Sequence, residues 1–436
     1  MEWYTLLLLL TGAALGLMFV GLPVLVAFFL TNILGAFLFM GGMRGVVQML
    51  ANGAESVANF SLAPVPLFLF MGTLFFRSGL AMRVLDALDR CFGALPGRLA
   101  YVTVAASTVF AALSGSSIAN TGMMGSVMVP EMRRRGYKLA LAAGPVLGAG
   151  GLAVIIPPSS MTVFLGSLAR IDVAALLLAG IVPGALIALS YVLLIYLQVR
   201  LDPAAAPRYE VQRTPLATAL KLVVRDVLPM GLIVFMVVGT MILGVATPTE
   251  ASALGCLAVV ILAAAYRVLD WRKINHALED AMRVTAMSFI LIVAASTFAQ
   301  MLSFSGSSAG FVKWTAGLAL HPIAMLAVMF AILLILGCFI DSLSIMLLTM
   351  PLYLPLAQSL GFDLVWFCTI MLIAIEIGFT TPPFGMLLFV MMGVVPGTTL
   401  GEVSKAALPY VVCQILVIVL LAAVPGLVLF LPRLLQ

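Results

Sequence analysis

Two Pro-Pro pairs interrupt apolar stretches at matching points in the two halves of this chain. One lies in Ile155-Ile156-Pro157-Pro158-Ser159-Ser160, the other in Thr380-Thr381-Pro382-Pro383-Phe384-Gly385. They stand 225 positions apart (382 − 157). The same shift carries Pro130 onto Pro355, Gly136 onto Gly361 and Tyr137 onto Phe362. The setting makes these breaks informative, because the 436-residue chain is 64% hydrophobic and only 9% charged. Soluble domains carry about 25% charged residues, so this composition describes a membrane protein with many spans. Proline removes a backbone donor, and hydrocarbon offers no water to the carbonyl that is freed. Such a break persists only inside protein or against a polar cavity. A duplicated pair of broken hydrophobic segments is the sequence sign of a binding site between two repeats.

Charge places the segments across the membrane. The net charge of +5 reflects loop Lys and Arg that favour the cytoplasmic side, and gives no argument for nucleic acid. Apolar runs cover 5–20, 22–40 and 62–76. Met1-Glu2-Trp3-Tyr4 lacks the basic start of a cleavable signal peptide, so the first run reads as a retained helix. A polar segment with Arg77, Arg83, Arg90 and Arg98 keeps Leu80, Val84, Leu88 and Phe92 on one side, the pattern of an interfacial amphipathic helix. Segment 99–130 follows, interrupted by Ser114-Gly115-Ser116-Ser117-Ile118-Ala119-Asn120, and ends at Arg133, Arg134, Arg135 and Lys138. Basic flanks at both ends predict a re-entrant hairpin with the Ser/Gly/Asn stretch at its tip. The alternative is a plain span with a polar kink.

A broken span at 139–169 and a span at 173–197 complete the first half. The linker from Arg200 to Arg225, with Arg208, Arg213 and Lys221, reads as cytoplasmic. Spans at 227–246 and 250–266 precede a basic stretch with Arg267, Arg272, Lys273 and Arg283. The second half repeats the hairpin at 322–358 and the broken span at 364–391, then adds a last span at 407–432. Its loop Gln358 to Asp363 is neutral or acidic where the first half has its arginine triplet. The repeat therefore reads as inverted, with both termini outside. The fold class expected is all-α and polytopic: an inverted repeat with two re-entrant helical hairpins and two broken transmembrane helices. The divisions expected are N-terminal scaffold helices at 1–62, a first repeat at 63–198, linker and scaffold helices at 199–283, and a second repeat with the last span at 284–436.

The tips and breaks concentrate hydroxyls, small residues and loose carbonyls, which suit a hard cation such as Na⁺. Half-helix N-termini offer partial positive charge to an anion. The first-half candidates are Ser114, Ser116, Ser117, Asn120, Thr121, Gly151, Val154 (through its carbonyl), Pro157, Ser159 and Ser160. The second-half candidates are Gly337, Asp341, Ser342, Ser344, Gly378, Thr380, Thr381 and Pro382. Each serine has a plainer reading as a packing residue or a donor to its own helix. Asp341 aligns with Ser116 (341 − 225), and an acid inside an apolar segment is costly enough to suggest function. A helix-capping aspartate is the other reading. Glu376 aligns with Gly151 (376 − 225) and divides between a coupling group and a buried structural acid. Glu250, after Thr247-Pro248-Thr249, reads as a helix cap. Cys91, Cys256, Cys338, Cys368 and Cys413 are scattered packing residues. His276 and His321 lie far apart in loop-like stretches, which opposes a histidine metal site.

Five ordered motifs carry a family resemblance: Ser-Gly-Ser-Ser-Ile-Ala-Asn (114–120), Pro-Glu-Met-Arg-Arg-Arg-Gly-Tyr (130–137), Ile-Ile-Pro-Pro-Ser (155–159), Thr-Pro-Thr-Glu-Ala (247–251) and Ile-Gly-Phe-Thr-Thr-Pro-Pro-Phe-Gly (377–385). Over nearly its whole length the chain resembles the large membrane subunit of TRAP transporters, the M or DctM subunit. The resemblance implies a sodium-driven, elevator-type importer in the bacterial inner membrane. It implies a periplasmic binding protein that delivers a small organic anion, and a small Q-type membrane subunit as partner. It implies two Na⁺ sites, one at Ser114, Ser116, Gly151, Val154 and Pro157, the other at Gly337, Asp341, Gly378 and Thr381. Substrate would lie between Ser116, Asn120, Ser159 and Asp341, with Glu376 as a candidate coupling group. No organic cofactor is expected.

The chain departs from the family pattern at two places. Many relatives carry Asp where this chain has Asn120, and Asn where it has Leu387, which opens the cargo to sulfonates and sugar acids beside ordinary carboxylates. No fused Q subunit precedes Met1, so a separate chain is expected. The alternative is a stand-alone ion-coupled organic-anion transporter of related fold. An intramembrane enzyme is disfavoured, since the sequence holds no HExxH, no Gly-x-Ser-x-Gly at a strand turn and no paired membrane aspartates at catalytic spacing.

Overall fold

The computed structural model describes residues 2–92, 95–207 and 215–435. Arg208 and Arg213 of the linker lie outside the described residues. The N-terminal helices are α1 (Trp3–Phe19), α2 (Val24–Phe39) and α3 (Met43–Val57). The first repeat comprises α4 (Pro64–Arg77), α5 (Leu80–Cys91), α6 (Arg98–Ser114), α7 (Ser117–Arg134), α8 (Leu139–Gly150), α9 (Ser160–Ala169), α10 (Val173–Ala179) and α11 (Ile181–Leu201). Between the halves come α12 (Leu216–Leu222), α13 (Leu228–Ile242) and α14 (Pro248–Ala265). The second repeat holds α15 (Trp271–Phe304), α16 (Ser307–Gly317), α17 (Pro322–Gly337), α18 (Ser342–Ser359), α19 (Leu364–Thr380), α20 (Met386–Val394) and α21 (Leu400–Ala423).

The all-helical architecture expected from the sequence is present, with seven helices long and apolar enough to cross a membrane among the described residues. The register found from the prolines holds in three dimensions. Helix α7 starts at Ser117 and α18 at Ser342, a difference of 225 (342 − 117). Both hairpins end in the same way. Gly136 (φ 84°) and Gly361 (φ 74°) take the left-handed conformation that glycine allows without penalty. The next residue then closes the helix end, Tyr137 N–H to Met132 O at 3.0 Å and Phe362 N–H to Ala357 O at 3.0 Å. The polar segment after Arg77 is the predicted amphipathic helix, α5, with Leu80 and Val84 fully buried.

Some expectations shift. The last span was expected at 407–432, but α21 starts at Leu400, because Thr399 and Glu402 form a capping box that begins the helix before Pro409. His276 was expected in a loop and lies in α15, which Asp270 caps at Arg272 N. His321 does sit at a helix start, accepting from Ile323 N at 3.3 Å. The boundary expected at 283–284 falls inside α15, a single 34-residue helix. Helix α3 had no counterpart in the sequence reading. Its buried residues are Gly45, Met49 and Gly53, a four-residue spacing whose two glycines carry no hydropathy signal.

Small residues let the helices close on one another, as is usual where lipid supplies no hydrophobic drive. On α8, Gly144 and Gly148 form a four-residue pair that receives the ring of Tyr410 from α21; a Cβ on Gly148 would lie 2.7 Å from the ring. Tyr410 in turn packs edge-on to Tyr191 of α11. Helices α1 to α3 pack against α15 around Leu10, Phe28, Met49 and Phe298. Asn32 ties this group by donating to Ala294 O at 2.5 Å.

Candidate functional site

Each hairpin tip is seated on the broken helix of its own repeat. At the first tip Gly115 (φ 59°) turns the chain between α6 and α7. Ser116 caps α7, accepting from Ala119 N at 3.3 Å. Ser160, at the start of α9, donates to Gly115 O at 3.3 Å. At the second tip Asp341 caps α18, accepting from Ser344 N at 3.1 Å and Ser344 Oγ at 2.5 Å. Cys338 reaches the carbonyl of Pro382 in the second break, at 3.5 Å. Ser116 and Asp341 are therefore the same structural position in two copies, each the first cap of a hairpin's return helix. The capping reading of Asp341 is correct as geometry, and it leaves one carboxylate at one tip only.

The breaks release carbonyls as anticipated. After α8 the chain tightens through Gly151–Val154 and then passes Pro157-Pro158, whose peptide bond is cis like that of Pro382-Pro383. Val154 O accepts from Ser159 Oγ at 2.6 Å and from Thr162 Oγ1 at 2.9 Å, so two hydroxyls converge on one freed carbonyl. Ser159 also caps α9. In the second break Thr381 Oγ1 donates to Ile377 O at 2.6 Å, and Thr381 N–H to Gly378 O at 3.1 Å. Gly337 and Gly378 bring the second tip and second break together. A Cβ on Gly337 would sit 2.5 Å from Gly378 Cα, so neither position admits a side chain without backbone movement.

The two repeats meet where Gly151 faces Glu376; a Cβ on Gly151 would lie 2.9 Å from Glu376 Oε1. Ser117 of the adjoining α7 lies within hydrogen-bonding reach of this fully enclosed carboxylate, while Thr121 Oγ1 and Asn120 Oδ1 on the same helix have no hydrogen-bond partner among the described residues. Buried polar atoms without partners are rare in folded proteins and call for an explanation. Here they surround the Gly150-Gly151 turn, where Thr121 Oγ1 lies directly against Gly150. The donor set is all oxygen, which fits a hard, weakly charged cation. Asn120 is completely buried. Its amide donates to Ser107 O at 3.1 Å and Ala149 O at 3.5 Å, joining both hairpin helices to α8. Gly72 on α4 escaped the sequence reading, yet a Cβ there would meet Leu113 O at 2.5 Å beneath the first tip. Its signal was to be the single glycine in the 62–76 run.

Ion pairs hold the hairpin ends far from the tips. Burial pushes Glu131 upward, but hydrogen bonds from Arg134 and Arg135 outweigh it and hold the carboxyl below its ordinary range. Lys138 Nζ, 2.5 Å from Asp202 Oδ2, holds that acid low as well and joins the hairpin exit to the end of α11.

Residues 11–427 match the family described as Tripartite ATP-independent periplasmic transporter, DctM component. The chain is 34% identical over 382 residues to the C4-dicarboxylate TRAP transporter large permease protein DctM of Pseudomonas aeruginosa, covering 87% of this chain and 88% of that one. It is 30% identical to the isethionate TRAP transporter permease protein DctMQ of Oleidesulfovibrio alaskensis, covering 94% of this chain and 66% of that one. The fold is similar to the YdaH transporter of Alcanivorax borkumensis, with a TM-score of 0.64, 15% identity and coverage of 89% and 90%. The spanning helices accord with the inner-membrane location of such permeases. Family match and relatives together show that this chain belongs to the DctM family, the large permease component of TRAP transporters.

Proposed function

We propose that this permease imports a small organic anion (a carboxylate, sugar acid or sulfonate), driven by sodium and by an elevator motion of the two hairpins and two broken helices. The remaining helices form a scaffold with a small Q-type subunit, and a periplasmic binding protein delivers the anion. The observation that carries the reading is the paired seating of each hairpin tip on its own broken helix, at Ser160–Gly115 and Cys338–Pro382. Inversion of the repeats makes such a pair open to either side in turn.

The residues fit Na⁺ as donors. One site is assigned to Ser114, Ser116, Gly151, Val154 and Pro157, the other to Gly337, Asp341, Gly378 and Thr381. Bound Na⁺ supplies positive charge that neutralises an anion in a low-dielectric setting. Ser116, Asn120, Ser159 and Asp341 are assigned to substrate. Ser116 and Ser159 cap helices whose free N–H groups attract anionic oxygens. Asn120 holds the hairpin to α8 through its amide and leaves Oδ1 free. Glu376, between the repeats, is assigned a coupling role supported by its enclosure against Gly151 and Ser117.

The test is reconstitution. The permease, its Q-type partner and the binding protein encoded beside it are placed with proteoliposomes, and uptake of labelled acids is followed with and without an inward Na⁺ gradient. Uptake that needs both the gradient and the binding protein is expected. Uptake indifferent to Na⁺ overturns the coupling, and uptake without the binding protein favours a stand-alone transporter.

A further inference from the structure

A cavity of about 990 Å³ lies between α3, α15 and the end of α9. It is distinct from the hairpin tips, since none of Ser116, Ser159 or Asp341 lines it. Its walls carry a cluster of polar side chains among apolar ones. Asn52, Glu55 and Asn59 come from α3 and the following turn, Gln300 from α15, and Ser167 and Arg170 from the end of α9. Asn52 Nδ2 donates to Gln300 Oε1 at 3.0 Å, so the amides on the scaffold wall are already oriented. Arg170 is the one cation and Glu55 the one acid among the lining residues. Arg170 forms no ion pair among the described residues and is exposed. It ends α9 in the left-handed conformation, φ 55°.

Charge fixes the side on which the cavity opens. Helix α8 starts beside Arg133, Arg134, Arg135 and Lys138, and α9 continues away from that basic flank to Arg170. Basic flanks mark the cytoplasmic side, so the cavity faces out.

We propose that this cavity is an outward-facing receiving site for a polyhydroxylated monocarboxylate, of the sugar-acid class. It rests on the transport reading only for the origin of the cargo. Arg170 pairs with the carboxylate, the group its planar fork matches. Asn52, Asn59 and Gln300 supply donors and acceptors to hydroxyls. The volume falls within the range of small-molecule sites, and the lining sets polar side chains beside apolar ones such as Phe60, Phe164 and Ile292, a mixture that suits hydroxyls and the carbon faces of a sugar acid together. A dicarboxylate fits poorly: with one cation present, its second charge meets neutral amides or Glu55 and loses hydration without compensation.

The experiment uses the full permease with its small partner in lipid vesicles. Ser167→Cys places a reporter in the wall, labelled by a membrane-impermeant maleimide from outside, with the unmodified chain giving the background of the native cysteines. Gluconate is the sugar-acid probe and succinate the dicarboxylate. At a probe concentration about ten times Kd, labelling is expected to slow about tenfold with gluconate and far less with succinate. In the Ser167→Cys background, Arg170→Gln raises the gluconate concentration needed by at least about tenfold. Arg170→Lys keeps part of the protection and shows that the site is still folded. No labelling from outside, no protection by gluconate, equal protection by succinate, or protection indifferent to Arg170→Gln each overturns the assignment. Na⁺-driven uptake by the same preparation separates the two readings. Protection without Na⁺-driven uptake sinks the transport mechanism and leaves the cavity; uptake without protection sinks the cavity alone.

Discussion

Asp341 performs two jobs that substitution can separate. It caps α18, and it supplies the one carboxylate at either hairpin tip. Asparagine is as good an N-cap as aspartate, and the Ser344 hydroxyl can rotate to accept from the new amide. Asp341→Asn is therefore expected to change stability by less than about 0.5 kcal/mol. Asp341→Ala loses the cap, costing about 1 kcal/mol. It also strands the Ser344 hydroxyl, which is 1% exposed, for about 1–3 kcal/mol more. The transport ranking differs. On the proposed Na⁺ assignment, removing a unit charge from beside the cation costs on the order of 3–4 kcal/mol at an effective dielectric of about 20. The Na⁺ concentration for half-maximal uptake should then rise by about two orders of magnitude or more in both variants. The assay pairs sodium titrations of uptake with melting of the purified complex. A near-normal sodium curve for Asp341→Asn beside a destabilised, inactive Asp341→Ala would refute the charge argument and leave Asp341 a cap.

Other perturbations test the surrounding geometry. Gly337→Ala forces a Cβ to 2.5 Å from Gly378 Cα; overpacking of about 1–3 kcal/mol outweighs the helix-propensity gain of up to about 1 kcal/mol. Uptake should fall sharply while the variant still assembles with its partner, and unchanged transport would show that the tip and the break need not stay in contact. Thr399→Ala removes a capping box and should cost about 1 kcal/mol without altering the sodium curve. Glu131 and Asp202 have carboxyl pKa values below their ordinary range. Their contribution to stability is complete above the unfolded carboxylate pKa and is lost as pH falls through the lower folded value. Glu131→Gln should flatten that acid limb of a melting-temperature profile, and an identical acid limb would remove Glu131 from the account.

Much of the candidate site was legible because its signals are local. Proline, positive-φ glycine and capping side chains act within a turn of themselves, so both breaks, both hairpins and the cap at Asp341 could be read from spacing, whereas Ser116 as a cap was not. The start of α21 was misplaced because hydropathy overrode the Thr399/Glu402 box, and α3 was passed over because its buried face is largely glycine. Contacts between distant segments left no such trace. The 225 shift aligns Glu376 with Gly151 but does not say that the two touch, nothing near Gly72 announces Leu113, and Arg170 looks like any loop arginine until the fold sets it beside α3 and α15 at one cavity.

The sequence by itself determined a duplicated, inverted membrane chain with two interrupted helices and two polar tips, because breakers and caps act on the backbone beside them. Only the tertiary structure decided which tip rests on which break, which carboxylate is enclosed between the repeats and where a polar cavity opens. Those follow from how closely helices hundreds of residues apart can approach, which the small residues permit but do not announce.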